Sequence, residues 1–146
     1  MVHLLDVNVL LALAWPNHLH HGPAHAWFQA NRESGWATCP MTQNGFVRLS
    51  CQPAVTKLLV PVAEAIQILD LSTQSPHHQF WQQDTRVASL LPEMLPRIMG
   101  PRQLTDAVLL DLAIRHQGAL ATFDRRMGSL FPARSPHASR LTFIPT

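Results

Sequence analysis

The stretch His3-Leu4-Leu5-Asp6-Val7-Asn8-Val9-Leu10-Leu11 decides how the rest of the chain is read. It is apolar up to Leu5, places a carboxylate at Asp6, and resumes as an apolar helical pattern through Trp15. A short apolar run with a helix directly behind it reads as a buried strand entering a strand-to-helix turn. In a parallel sheet Asp6 would stand at the carboxyl end of its strand, the edge where open α/β sheets bind ligands. A plainer task also suits it, capping the helix that begins near Val7, because Asp is favoured there. The balance turns on how many other polar residues return to that edge.

Composition bounds the answer. A chain of 146 residues is the size of one ordinary domain, 1–146. It is 47% hydrophobic and only 14% charged, which excludes a disordered or fibrous chain. No apolar run approaches the ~20 residues needed to cross a bilayer. Asp6 and Asn8 interrupt what would be a signal core, so a cytoplasmic location is expected. Cys39 and Cys51 lack the spacing of a zinc ribbon or a disulfide framework and read as small apolar residues. The net charge is +2, and all but one of the basic residues are Arg, a bias that suits phosphate contact.

Outward from the first strand, punctuation alternates with periodic segments. A turn with His18, His20 and His21 leads to a helix from Ala24 to about Glu33, with Ala26, Trp27 and Ala30 expected inside. Trp36 to Cys39 is a short strand, followed by a helix N-capped by Thr42, with Gln43 in its first turn. Pro53 and Pro61 bracket a loop. Val62 to Leu71 is a helix with Ala65, Ile66 and Leu69 on one face. His77 to Trp81 is a third strand, and Asp84 is expected to cap a helix through Leu91. Leu91 to Pro101 reads as an irregular loop. A long helix is expected to open at Thr105-Asp106 and stop at Gly118, a C′ glycine. Ala119 to Phe123 is the fourth strand, closing on Asp124, and Leu141 to Ile144 the last. Strands alternating with helices imply an α/β fold with a mainly parallel sheet.

That architecture sends Asp6, Gln43, Asp84, Asp106 and Asp124 to one edge. Each alone passes as a helix-start acid or cap, worth ~0.3–1 kcal/mol against the helix dipole. Jointly they repel, and such a cluster is normally tolerated when a divalent cation or a shared proton neutralises it. Carboxylates without clustered cysteines favour Mg²⁺ or Mn²⁺ over zinc. Carboxylate-held Mg²⁺ works on phosphodiesters and phosphoanhydrides. The absence of a Gly-rich phosphate loop argues against a nucleoside triphosphatase or a dinucleotide-binding dehydrogenase.

Four segments then resemble a known family: Leu5-Asp6-Val7-Asn8-Val9-Leu10, Thr42-Gln43-Asn44-Gly45-Phe46-Val47-Arg48, Leu104-Thr105-Asp106-Ala107 and Ala121-Thr122-Phe123-Asp124-Arg125. They look like the signature segments of PIN-domain ribonucleases, and more closely of VapC-type toxins from bacterial toxin–antitoxin pairs. The resemblance implies a three-layer α/β/α fold with strand order 3-2-1-4-5. It implies Mg²⁺- or Mn²⁺-dependent RNA cleavage leaving 5′-phosphate and 3′-hydroxyl ends, a homodimer, and inhibition by a small cognate antitoxin. Asp6, Asp106 and Asp124 take the metal-binding and catalytic positions. Gln43 stands where most of these enzymes carry glutamate, and its amide offers a carbonyl oxygen but no charge. The alternative is therefore a degenerate PIN domain that binds RNA or antitoxin without efficient cleavage. A DNA nuclease or phosphatase is a further rival. Asp111 lies about 140° round its helix from Asp106 and cannot substitute for it.

Other residues carry weaker signals. His18, His20, His21 and His25 read as loop surface or RNA contact rather than zinc ligands. Arg48, Arg102, Arg125 and Arg126 are candidates for phosphate positioning. Trp15 and Trp27 suit the core, as does Trp81, with base stacking the sharper option for the last. Thr105 and Thr122 are read as N-cap and strand residue, or as hydrogen-bond supports for the neighbouring acids. Asn8 is a first-turn residue or an orienter of ligands.

Overall fold

A computed structural model describes residues 1–146. Five strands, β1 (His3–Leu5), β2 (Trp36–Thr38), β3 (His78–Phe80), β4 (Ala119–Thr122) and β5 (Leu141–Phe143), form one sheet in the order β3-β2-β1-β4-β5. Every pairing is parallel, with Leu5 beside Ala121 and Thr38 beside Phe80. The helices are α1 (Val7–Ala14), α2 (His21–Asn31), α3 (Pro40–Ser50), α4 (Pro53–Thr56), α5 (Val62–Thr73) and α6 (Pro101–Arg115). Successive strand residues point to opposite faces. Leu4 packs with Leu109, Leu112 and Trp81 on the α6 side, and Leu5 with Leu10, Phe46 and Leu69 on the other. This is the expected three-layer α/β/α arrangement. Beside central β1, β4 is fully buried and built from Ala119, Leu120, Ala121 and Thr122, small enough for helices to lie close on both faces.

Two glycines set close approaches. A Cβ at Gly45 would stand 2.8 Å from Val7 Cγ2, so the contact between α1 and α3 requires that residue. At Gly118 a Cβ would come within 2.6 Å of both the Trp81 ring and the Val2 carbonyl oxygen.

Several expectations are corrected. α2 begins at His21, not Ala24, and closes through a 3₁₀ turn at Arg32–Ser34; Ala24 is buried, Trp27 half-buried, and Ala26 and Ala30 exposed. Pro40 at N1 starts α3 early, because its fixed φ is ready for a helix. Thr42 is thus the third helical residue, accepting the Cys39 N–H at 2.9 Å, and Cys39 is the N-cap. Pro53–Thr56 is a one-turn helix rather than loop. On α5, Ala65 and Leu69 are buried, while Ile66 is 51% exposed.

The helix expected after Asp84 does not form. A single 3₁₀ turn, Val87–Ser89, stands there, and Asp84 is an exposed residue outside it. Side chains of α6 take the backbone groups a helix would have used: Asp111 Oδ1 accepts the Leu91 N–H and Arg115 Nη2 donates to the Ser89 carbonyl. α6 itself opens at Pro101 after Gly100, four residues before Thr105, which is exposed and caps nothing. Its end is a Schellman turn in which Gln117 takes the left-handed conformation (φ 59°). Gly118 N–H then reaches back to the Ala113 carbonyl at 2.8 Å, so the glycine sits one position later than expected.

Candidate active site

Asp6 stands at the carboxyl end of β1 and caps α1. Its Oδ1 accepts the Val7 N–H at 2.7 Å, capping α1, and its Oδ2 accepts the Thr122 hydroxyl at 2.8 Å from the neighbouring strand. Both oxygens are therefore pinned from the protein side. The carboxyl is 7% exposed, and burial raises its pKa above the ordinary range, with the two hydrogen bonds opposing and Asp124 adding to the rise.

Asp106 projects from the second turn of α6. Burial first, then the charges of Asp6 and Asp124, push its pKa up to about 6, while Arg126 acts the other way. Mutual repulsion of this kind means that the topology has brought Asp6, Asp106 and Asp124 into one neighbourhood. Asp124 lies two residues beyond β4 and caps the 3₁₀ turn Arg125–Leu130. Its pKa is lowered, chiefly by the hydrogen bond from the Arg126 side chain. Asp106 and Asp124 line a small cleft of about 90 Å³ with Arg102, Gln103 and Arg126.

Gln43 is not hydrogen-bonded to any of these acids. Its Nε2 donates to Thr38 Oγ1 at 3.0 Å, and that hydroxyl is 2.8 Å from His78 Nε2. The remaining candidates divide. Arg102 and Arg126 face the cleft; Arg125 lies 5.5 Å from the Phe143 ring centre. Arg48 is exposed in the last turn of α3, about 12 Å along the axis from the helix start, so it leaves the active edge. Trp81 belongs to the core: it is 5% exposed and stacks on His116 at 4.4 Å. Trp15 is buried and donates to Ser50. Asn8 is exposed. His21 and His25 bond to the Ala12 and Leu13 carbonyl oxygens, and His18 and His20 lean on Phe123, the residue before Asp124. Sequence reasoning missed Gln103, the Thr38–His78 link and the Asp124–Arg126 pair. Only the last had a local signal, a basic residue two positions after an acid in a turn.

The donor set suits a hard divalent cation. It is all oxygen, and neighbouring carboxylates push up the pKa of Asp6 and Asp106, so a positive charge would relieve them. As the side chains stand, no three His, Cys, Asp or Glu residues converge closely enough to hold an ion. Asp124 is turned to Arg126, and Asp6 to Thr122 and Val7.

The chain is 44% identical to ribonuclease VapC38 of Mycobacterium tuberculosis over 131 residues, spanning 90% of this chain and 91% of the relative. Ribonuclease VapC44 of the same organism is 43% identical over 84% of the chain and 85% of its own length. Ribonuclease VapC29 is 35% identical along the whole chain and 98% of its own length. No family model matches the chain. The crystal structure of M. tuberculosis VapC20, a sarcin–ricin-loop-cleaving toxin, superposes with a TM-score of 0.66 over 93% of this chain and all of that one; at 14% identity it speaks for the fold alone. With relatives this similar over most of its length, and with the acids those segments carry gathered at one sheet edge, the chain belongs to the VapC family of ribonucleases.

Proposed function

We propose that the protein is the toxin of a toxin–antitoxin pair and cuts RNA phosphodiester bonds as a Mg²⁺- or Mn²⁺-dependent endoribonuclease. The observation that carries this is the placing of Asp106 and Asp124 in one cleft walled by Arg102 and Arg126, with Asp6 at the end of β1 close enough for its charge to act on Asp106. Asp6 and Asp106 would hold the cation, with Asp124 and Gln43 acting through water. When bound, the cation would supply an activated water and offset charge on the phosphodiester. The protein's part is orientation. The Thr122 hydroxyl and Val7 N–H fix the Asp6 carboxylate, and the arginines position phosphate oxygens bidentately.

RNA is the substrate in this reading, a small antitoxin the inhibitor, and a homodimer the working state. Its interface would be the exposed apolar stripe of Leu58, Leu59, Val62 and Ile66. No helix is long and apolar enough to cross a membrane. The alternative, RNA or antitoxin binding without efficient cleavage, draws on Gln43, which adds no charge to the acids and is engaged with Thr38.

Cleavage of an RNA pool in Mg²⁺ or Mn²⁺, its loss with chelator, and its loss in Asp6→Asn and Asp106→Asn test the reading. Circular dichroism should show both variants folded. Full activity in either variant removes that residue from the site, and cleavage undiminished by chelator sinks the metal.

A further inference from the structure

Arg126 already occupies the carboxylate that a cation would need. It follows Asp124 by two residues and grips it three times. Its backbone N–H and Nε both donate to Oδ1 at 2.9 Å, and Nη2 donates to Oδ2 at 2.8 Å. Both carboxylate oxygens are used. Yet the Arg126 side chain is 86% exposed, and no other carboxylate shares it. Its neighbour Arg125 is committed elsewhere, over Phe143. Arg102 lines the same cleft without an ion pair to any acid.

In this arrangement Asp124 is committed to the guanidinium, and no three acids converge on one point. A guanidinium does not give up its proton at any ordinary pH, so the pair cannot be broken by titration of the arginine. While Asp124 stays ionised, the pair is broken only by departure. Departure is easy for a side chain this exposed, and the backbone bond from Arg126 would still hold the turn.

We propose that Arg126 is an exchangeable counter-ion: it holds Asp124 until the water shell of a divalent cation claims that carboxylate, and its freed guanidinium then turns to the RNA phosphate. The proposal rests on the cleft being a divalent-cation site for RNA cleavage. One positive charge thus serves in turn as a placeholder and as a substrate contact.

Calorimetric titration with Mn²⁺ alone, on the wild type, Arg126→Ala and Arg102→Ala, tests the first half. Arg126→Ala should bind Mn²⁺ roughly two- to fivefold tighter, the size expected for releasing an exposed ion pair. Arg102→Ala should gain clearly less. Equal gains would mean that any lost positive charge suffices, and would overturn the exchange. RNA binding by fluorescence anisotropy tests the second half, in chelator and in Ca²⁺, with the RNA checked intact afterwards. Arg126→Ala should bind RNA like the wild type in chelator and several-fold more weakly in Ca²⁺. Equal weakening in both would make Arg126 an ordinary phosphate contact and end the proposal. Mn²⁺ binding by the wild type with no gain in Arg126→Ala overturns the exchange alone. No Mn²⁺ binding by any of the three proteins removes the metal site and the exchange together.

Discussion

At the scale of single residues, the site is a set of carboxylates each in a different setting. Asp6 is held by a hydroxyl and a backbone amide and Asp124 by a guanidinium, whereas Asp106 has no such partner and its charge is disfavoured by burial. Gln43 is the position where this chain departs from the pattern it resembles, and its surroundings are adapted to an amide. Its N–H₂ donates to Thr38, which leaves the Thr38 hydroxyl free to donate to His78 Nε2. Burial lowers the pKa of His78, consistent with a neutral ring accepting that bond. A carboxylate at 43 has no hydrogen to give. It would claim the Thr38 hydroxyl, and His78 would have to supply a proton in its place. Gln43→Glu is therefore expected to raise the His78 pKa and to tighten Mg²⁺ binding, because one more negative charge joins the cluster. NMR titration of His78 and calorimetry with Mg²⁺ read the two effects. Unchanged metal affinity would place Gln43 outside the site and leave it as a helix-start residue.

Elements were legible wherever apolar periodicity and local chain chemistry agreed. The mainly parallel sheet and the strand ends bearing Asp6 and Asp124 follow from short apolar runs with helices behind them, while the strand order came only with the family resemblance. What could not be read locally was decided by partners distant in sequence. No pattern around Asp84 says that Asp111 and Arg115 will take the backbone groups of the following segment and leave one 3₁₀ turn. Helix starts failed for a second reason. Pro40 and Pro101 open α3 and α6 without any side-chain cap bond of the usual Ser, Thr or Asp kind, so Thr42 and Thr105 looked better than they are. The cost to the site was small, because Asp106 still reaches the edge from the second turn. α5 shows the opposite case, an element whose exposed face exceeds what the fold uses. Val62 is 57% and Leu59 89% exposed, beside Ile66. If that stripe closes a homodimer, Ile66→Lys should give a monomer by light scattering at micromolar concentration, with Tm of the protomer little changed since the residue is already in water. A dimer that survives both Ile66→Lys and Val62→Lys would move the interface to another face.

Across the whole molecule, the site makes stability depend on pH in a way that can be isolated. The folded protein holds the Asp106 proton more tightly than the unfolded chain, whose carboxyl titrates near its ordinary 3.8, against about 6 when folded. That tighter grip favours folding at low pH, and the advantage is lost as pH rises through about 6. Asp6, also raised, acts with the same sign. Asp124 is lowered, so its contribution persists until the pH falls below the ordinary carboxylate range, outside this window. Three half-buried histidines oppose the trend. His3, His18 and His78 have lowered pKa values, so their contribution is present at neutral pH and lost as pH falls through the ordinary 6.5. A melting curve of the wild type alone would mix the two signs. The difference between the wild type and Asp106→Asn cancels the histidines, because both proteins share them. In chelator at pH 7.5 the variant should melt higher, since a neutral amide replaces a charge that burial and two neighbouring carboxylates disfavour. As pH falls through about 6 the wild type acquires its proton and the gap should close. Saturating Mg²⁺ at pH 7.5 should reverse the order, because the cation stabilises only the protein that holds it with Asp106. A gap that stays constant from pH 7.5 to 5 would show that Asp106 is ionised throughout, and that the acids do not meet as closely as the fold requires.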